Sequence, residues 1–294
     1  MTEVFEEHRR TLFGIAYRML GSVADAEDVV QEAWLRWNGA RDDVDNPRAY
    51  LARTVTNLAL NHLSSATVRR ERYVGPWLPE PLVTEPDATE DVERAESVSL
   101  AMLVVMETLS PLERAVFVLK EVFGFPYAEI AQVLERSEAS VRQVGHRARS
   151  HVQARRPRYA APDEVRDVTE RFLAACLGGD LNQMLELLAP DVTAWTDGGG
   201  KVRAALRPLH GADNVARWLL GVIARQVEAT EAEGGIDVRF ADVNGQPGAV
   251  IVINGQPDTV ASADVADGRI TAMRLVRNPD KLRGVALRPP DRAS

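Results

Sequence analysis

Between Ser110 and Arg158 the sequence spells three helices separated by breaks too short for anything but tight corners, and this stretch constrains the fold most. Ser110-Pro111-Leu112-Glu113 is a helix start: Ser110 caps, Pro111 suits the first helical position, and Glu113 reaches back to close a capping box. The helix LERAVFVLKEV runs to Gly124, and a short helix, YAEIAQVL, carries Ile130 and Leu134 on one face. Glu135-Arg136-Ser137 is a tight break before a third helix. There Val141, Val144, Ala148 and Val152 step along one side. Arg142, His146 and Arg149 step along the other, with Gln143, Arg147 and Ser150 beside them. One face packs and the other meets phosphates. Short helix, tight turn and Arg-rich helix is the helix-turn-helix arrangement, whose second helix lies in the major groove where Arg and Gln read base edges. The plainer alternative for such a charge run is a solvated helix surface.

Charge favours the first reading. The chain has a formal net charge of -8, yet residues 135–158 hold seven Arg against two Glu, and residues 47–73 hold five Arg against one Glu. Residues 74–96 carry seven acids and one Arg. Two basic islands in an acidic background imply DNA contact that is confined to them or assisted by a partner. The 294 residues predict two or three domains. The single cysteine, Cys176, excludes an intramolecular disulfide or a Cys-rich zinc site, and within RFLAACL it reads as a buried core residue. The N-terminus, MTEVFEEHRR, has no secretory signal pattern, and no apolar run reaches the roughly 20 residues of a membrane span, so a cytoplasmic protein is expected.

The N-terminal stretch is helical. Phe5, Leu12, Ile15, Ala16 and Met19 form a stripe that Gly21-Ser22 breaks. In DAEDVVQEAWLRW, Ala26, Val29, Val30, Ala33, Trp34 and Trp37 line one face, and Asp25, Asp28, Gln31, Glu32 and Arg36 the other. That polar face is either ordinary solvated surface or a docking face for a basic partner. Asn46-Pro47 opens a third helix, RAYLARTVTNLALNHL, with a basic tail of Arg69, Arg70 and Arg72 and then Tyr73, a mixture suited to DNA backbone and unstacked bases.

Residues 74–96 contain four Pro as well as the seven acids, which argues against a regular element. Trp77 is out of place in a flexible spacer, so WLPEP reads as a short anchor docking in a groove, or else as a Trp packed locally on the first module. Beyond Ala160-Ala161-Pro162 the character changes. DEVRDVTERFLAACL, LNQMLELL and ADNVARWLLGVIARQV are helical, with Pro190 ending the second. VTAWT, DVRFADV, GAVIVI, DTVASADV and RITAMRLV are strands, joined by hairpin turns at Asn244-Gly245, Asn254-Gly255 and Asp267-Gly268. The tetrapeptide NGQP occurs twice, at 244–247 and 254–257, and reads as turn chemistry. Helices followed by an antiparallel meander predict an α+β domain. In DGGGK the three glycines permit positive φ and close backbone approach, and exposed amides with Lys201 suit an acidic or extended segment such as WLPEP; a flexible hairpin is the alternative. No acid/base pair emerges. His210 lies in an apparent connection, Asp191, Asp197 and Asp213 are explained by capping, and Trp195 and Trp218 read as core.

F-x6-L-x2-IAYRMLGSVADAEDVVQEAWLRW followed by PRAYLARTVTNLALNHL resembles region 2 of an extracytoplasmic-function (ECF) sigma factor, and LSPLERAVFVLKEVFGFPYAEIAQVLERSEASVRQVGHRAR resembles sigma region 4. The resemblance implies that Asp25, Asp28, Gln31, Glu32 and Arg36 face core RNA polymerase, with the β′ clamp helices and β as partners. It places Asn57, Asn61, His62, Arg69, Arg70 and Arg72 on the −10 side of promoter DNA, and Ser140, Arg142, Gln143, His146 and Arg147 toward the −35 element. Leu60-Asn61-His62 departs from the Asp and basic residue of many relatives, so no −10 sequence follows. The C-terminal segment resembles a SnoaL-like, cone-shaped α+β domain of the kind fused to sigma-J-type ECF factors. The signatures of that type are WLPEP (Trp77, Leu78, Pro79, Glu80, Pro81), DGGGK (Asp197, Gly198, Gly199, Gly200, Lys201) and NPDKL (Asn278, Pro279, Asp280, Lys281, Leu282).

The expected organisation is therefore multidomain: region 2 over residues 1–75, an acidic linker over 76–96, a helix-turn-helix region 4 over 97–158 and a SnoaL-like regulatory domain over 163–287. The expected function is promoter-directed initiation with core polymerase, modulated in cis, without catalysis, metal, cofactor or membrane. Lys201 and Lys281 are expected to meet Glu80 and the acids after it, and the pocket of such a fold leaves room for a small-molecule ligand. The rivals are a cyclase or isomerase with a DNA-binding tail, and a one-component repressor.

Overall fold

The computed structural model describes residues 3–40, 44–84, 98–155, 160–230 and 235–285, the side chains of 64–69, 71 and 228–230 excepted. The chain divides into two units: Met1–Arg72 with Met102–Arg156, and Tyr73–Ala101 with Pro157–Ser294.

Helices of the first unit begin where the sequence supplies caps. Helix α1, Glu3–Leu20, buries Phe5, Leu12, Ile15 and Met19. Ser22 Oγ accepts the Asp25 N–H at 3.2 Å and opens α2, Val23–Ala40. Asn46 Oδ1 accepts the Ala49 N–H at 3.1 Å and opens α3, Pro47–Glu71, which continues as helix through the basic tail. In α3 Leu51, Ala52, Val55, Leu58 and Ala59 are buried, and so are Thr54 and Thr56, because the helix packs on α1, on α2 and on the second half of the unit. Trp34 does not join the apolar stripe. It is 38% exposed while Trp37 is 5% exposed, because a stripe that wide outgrows the surface α1 and α3 cover.

The second half of this unit holds α4 (Leu100–Met106, which starts at the boundary), α5 (Pro111–Phe117), a π-helical turn (Val118–Val122), α6 (Tyr127–Val133) and α7 (Glu138–Gln153). The expected capping box is formed: Ser110 Oγ accepts the Glu113 N–H, and Glu113 accepts the Ser110 N–H at 3.1 Å. Glu135, with φ 52°, makes the corner between α6 and α7, and Ser137 caps α7 through the Ser140 N–H. Gly145 lets these helices cross closely, since a Cβ there would meet the Tyr127 hydroxyl at 2.9 Å.

Arginines fasten the two halves together. Arg114, 3% exposed, donates to the Met19 carbonyl at 2.8 Å and to Glu107 at 2.8 Å. Arg70 reaches the same Glu107 carboxylate and also the Leu20 carbonyl. Arg18 lies over the Phe123 ring at 5.1 Å and Arg48 over Phe125 at 4.7 Å.

The second unit is α+β. Helices α8 (Pro162–Gly178), α9 (Leu181–Leu187) and α10 (Ala212–Thr230) pack on one seven-stranded sheet ordered β1-β4-β5-β6-β7-β2-β3. The strands are β1 (Val83–Thr84), β2 (Leu188–Asp197), β3 (Leu209–His210), β4 (Ile236–Val243), β5 (Gln246–Ile253), β6 (Gln256–Ala266) and β7 (Arg269–Val276). The core joins Phe172, Met184, Val192, Val215 and Met273. Asn244, Asn254 and Asp267 have φ 52° and are each followed by a positive-φ Gly, the two left-handed residues of a type I′ hairpin.

Five expectations change. The sheet is mixed, because β2 runs parallel to β7. The helix before Pro190 ends at Leu187, and Pro190 lies inside β2 where the register shifts between Leu188 and Thr193, a place where its missing N–H is tolerated. His210 belongs to β3 rather than to a connection, and Trp195 and Trp218 are half-buried. The Pro-rich linker contributes a strand, since Val83 and Thr84 pair antiparallel with Val243 and Asp242. Among the described residues no helix is long and apolar enough to cross a membrane.

Two predictions follow from this packing. Arg114→Ala leaves Glu107 and the Met19 carbonyl short of a buried partner and should cost on the order of 3 kcal/mol, read from urea unfolding, whereas Arg9→Ala at an exposed pair should leave the midpoint unmoved. Burial pushes the Cys176 thiol up to about 12, so the folded protein should not react with a thiol reagent at pH 8, and reaction should track unfolding.

Candidate functional site

Helix α7 presents a free polar face because its valines are consumed by packing. Val141, Val144, Ala148 and Val152 are buried, while Arg142, Gln143, His146 and Arg147 are exposed and Ser140 is half-buried. Acids preset the cations on this face. Arg142 pairs with Glu138 and lies over the Tyr127 ring at 5.1 Å, and Arg147 stands 4.0 Å from Glu113. Ser110 hydrogen bonds hold the Glu113 carboxyl below its usual range, and Arg147 adds to that. These exposed pairs are weak, so phosphate can displace them.

The residues expected on the −10 side are not equivalent. Asn61 and Arg72 are exposed, and Asn57 and His62 are half-buried. Arg70 is engaged by Glu107 and the Leu20 carbonyl, and the Arg69 side chain lies outside the described residues. On α2, Asp28, Gln31 and Arg36 are exposed, Asp25 and Glu32 are half-buried, and Arg36 donates to Glu32 at 2.6 Å. Exposed Trp34 stands in this same region, in a groove with Phe5, Arg9, Arg10 and Phe13 of α1.

WLPEP, DGGGK and NPDKL meet in the second unit, around one carboxylate. Asp197, the last residue of β2, is 0% exposed. It accepts from Lys281 Nζ at 2.7 Å, from the Leu78 N–H at 2.9 Å and from the Tyr73 hydroxyl. Lys281 also donates to the Leu78 carbonyl, lies over the Trp77 ring at 4.2 Å and over the Tyr73 ring at 5.0 Å. Asn278 completes the ring by donating to the Tyr73 oxygen at 2.8 Å. A buried ion pair holds where additional hydrogen bonds satisfy its remaining lone pairs, and here they come from the linker itself. Leu78, Pro79, Glu80 and Pro81 are all buried.

The glycines serve close approach. Gly199 and Gly200 have φ +60° and +70°. A Cβ on Gly199 would come within 2.4 Å of Asn278 and 3.0 Å of the Tyr73 hydroxyl, and one on Gly200 within 3.1 Å of Val74. The loop amides turn inward, with the Lys201 N–H bonded to the Gly198 carbonyl at 3.0 Å, so the linker is not held in an amide cradle. Lys201 pairs with Asp280 of NPDKL, not with the linker, and holds that carboxyl below its usual range. Pro279 is exposed and Leu282 buried.

Other residues of the clasp escape a reading of the sequence. Tyr73, grouped above with the DNA-facing tail, is bound within the clasp, and burial followed by the Asp197 contact raises its hydroxyl above the usual tyrosine range. Asn244 holds the far end of the linker: its N–H donates to the Leu82 carbonyl at 2.7 Å and its Oδ1 accepts the Leu82 N–H at 3.1 Å. The doubled NGQP gives no local signal of this: the turn at Asn244 receives the linker, while Asn254 of the second turn is exposed. Asp197 is a hub rather than a cap. The acids of the linker from Glu85 to Glu96 lie outside the described residues.

The comparisons bear on both units. Sigma-70 region 2 matches residues 4–69, and Sigma-70 region 4 matches residues 99–152. The ECF RNA polymerase sigma factor SigJ of Mycobacterium tuberculosis is 41% identical over 296 residues, covering 97% of this chain and 94% of that protein. The probable ECF RNA polymerase sigma factor SigI of the same organism is 33% identical over 287 residues, covering 96% and 94%. The crystal structure of M. tuberculosis SigJ superposes with a TM-score of 0.75 at 38% identity, covering 96% of this chain and 98% of that one, so the likeness includes the SnoaL-like C-terminal domain. With both regions in order and relatives matched from end to end, this chain belongs to the extracytoplasmic-function family of RNA polymerase sigma factors.

Proposed function

We propose that this sigma factor engages core polymerase through the polar face of α2 and reads promoter DNA with α7 and α3, while its C-terminal domain governs initiation in cis by holding the linker between its two DNA-binding regions. The observation that carries this reading is the clasp of Leu78 and Trp77 by Asp197 and Lys281. The linker joins the helices of region 2 to those of region 4, so once the Glu107 network between them opens, how far they separate depends on whether WLPEP is held. Asp28, Gln31, Glu32 and Arg36 supply the polymerase face together with exposed Trp34, with the β′ clamp helices as its partner. Arg142, Gln143, His146 and Arg147 read the −35 element, and Asn57, Asn61, His62 and Arg72 serve the −10 side. Arg70 reaches DNA only after leaving Glu107. The C-terminal domain binds and does not catalyse, since Asp258, the acid lining its cavity, is bound by Arg277 at 2.9 and 3.0 Å and by Thr259.

Run-off transcription with core polymerase tests the regulatory reading. Trp77→Ala and Gly199→Val should each change transcript yield severalfold while leaving −35 duplex binding unchanged; yields equal to wild type would remove the clasp from regulation. For the promoter face, Arg147→Ala should cost about 1–3 kcal/mol with relaxed preference at one base pair if the side chain reads an edge. A uniform loss, with the salt slope falling by about one, would mean a phosphate contact.

The clasp should also respond to pH with a definite sign. The neutral Tyr73 hydroxyl is the form that donates to Asp197, and its ionisation is raised above the usual value of about 10. Its contribution is therefore complete below that value and lost as pH rises through the folded one. An ultraviolet titration should show tyrosine ionisation above the usual range, and the amplitude of that late step should fall by one tyrosine in Tyr73→Phe.

A further inference from the structure

Between α8, α10 and the sheet lies a cavity of about 100 Å³. Phe172, Cys176, Leu219, Val222, Ile251 and Ala261 form its walls, and Leu177, 53% exposed, stands at its rim. The wall is almost wholly apolar. Its charged members, Asp258 and Arg277, neutralise one another through a bidentate pair, to which Thr259 adds a hydroxyl at 2.6 Å. A cavity of this character stays dry, and one of about 150 Å³ lined by Leu, Ile and Phe binds benzene. An ion entering here would lose its hydration without gaining a counter-charge.

Arg277 has a second set of contacts. Its backbone N–H donates to the Asp197 carbonyl at 2.7 Å, its guanidinium to the Arg203 carbonyl at 2.7 Å, and the next residue, Asn278, holds Tyr73. Arg277 thus lines the cavity and reaches the Arg203 carbonyl with its side chain, while its backbone is tied to the end of β2 and runs directly into the NPDKL turn.

We infer that this cavity is a binding site for a compact, uncharged, predominantly apolar molecule of about one-ring size, and that Arg277 couples its occupancy to the clasp on WLPEP. The binding half stands on the cavity alone. The coupling half deepens the cis-regulatory reading by naming what the C-terminal domain senses.

Fluorobenzene is the probe, followed by fluorine NMR on the full-length protein. Its resonance should broaden saturably. Val222→Trp and Ile251→Phe, each checked by circular dichroism and melting, should abolish the effect by filling the space. A matched anionic probe, fluorobenzoate, should give none. Hydrogen exchange of the Leu78 amide reads the clasp, and bound fluorobenzene should change its rate by at least about fivefold. In Asp258→Asn/Arg277→Gln, which removes both charges together and releases the Arg203 carbonyl, fluorobenzene should still bind and the Leu78 rate should no longer respond. No saturable broadening, or broadening that survives both filling variants, overturns the site. Binding with an unaltered Leu78 rate overturns the coupling. Neither failure touches the cis-regulatory reading, which the ligand-free transcription of Trp77→Ala decides separately.

Discussion

The second unit depends on one buried charge. Asp197 ends β2 with no exposure to solvent, and an isolated carboxylate in that position would be strongly unfavourable. Lys281 neutralises it, Leu78 and Tyr73 supply the remaining donors, and two of those three partners come from the segment that tethers region 2 to region 4. The domain therefore satisfies its own hub by capturing the linker. Trp77 under the Lys281 ammonium and the buried prolines exclude water from the pair, which strengthens it. Stiff Pro79 and Pro81 leave little freedom to be lost on docking.

A different economy operates in the first unit. Arg114 and Arg70 converge on Glu107 and on the last carbonyls of α1, so the ion network that joins the region 2 helices to the region 4 helices also occupies a basic residue at the end of α3. The face of α7 is only lightly tied, by exposed partners such as Glu138. Among the residues proposed to meet the promoter, Arg142, Gln143, His146 and Arg147 of α7 are exposed, whereas Arg70 of α3 is held by a carboxylate.

Much of this was legible in the sequence where short-range chemistry decides. The Ser110 capping box, the Ser137 cap and the Asn-Gly turns name their own conformations, and the valine stripe of α7 separates packing face from reading face. The DGGGK, WLPEP and NPDKL segments stood out through the family resemblance, and their meeting was legible from an anchor Trp77 and two cations, although Lys281 holds Asp197 and Lys201 holds Asp280. What escaped depends on contacts far apart in the chain. Nothing local distinguishes Asn244 from Asn254 in identical NGQP turns, yet only the first lies at the edge strand that Val83 and Thr84 join. Tyr73 looked like the end of a basic tail because its partner is 124 residues away. Trp34 obeyed helical periodicity, but periodicity cannot say how wide a face the neighbours cover.

The central claim is that the Asp197–Lys281 pair holds the linker, and a double-mutant cycle on the exchange rate of the Leu78 amide tests it most directly. Asp197→Asn and Lys281→Met should each speed exchange strongly, because each strands the other group in a buried site. The double variant should exchange more slowly than the two effects multiplied together, with a coupling of about 1–3 kcal/mol. Independent, multiplicative effects, or a Leu78 amide as unprotected in the wild type as in the variants, would contradict the account.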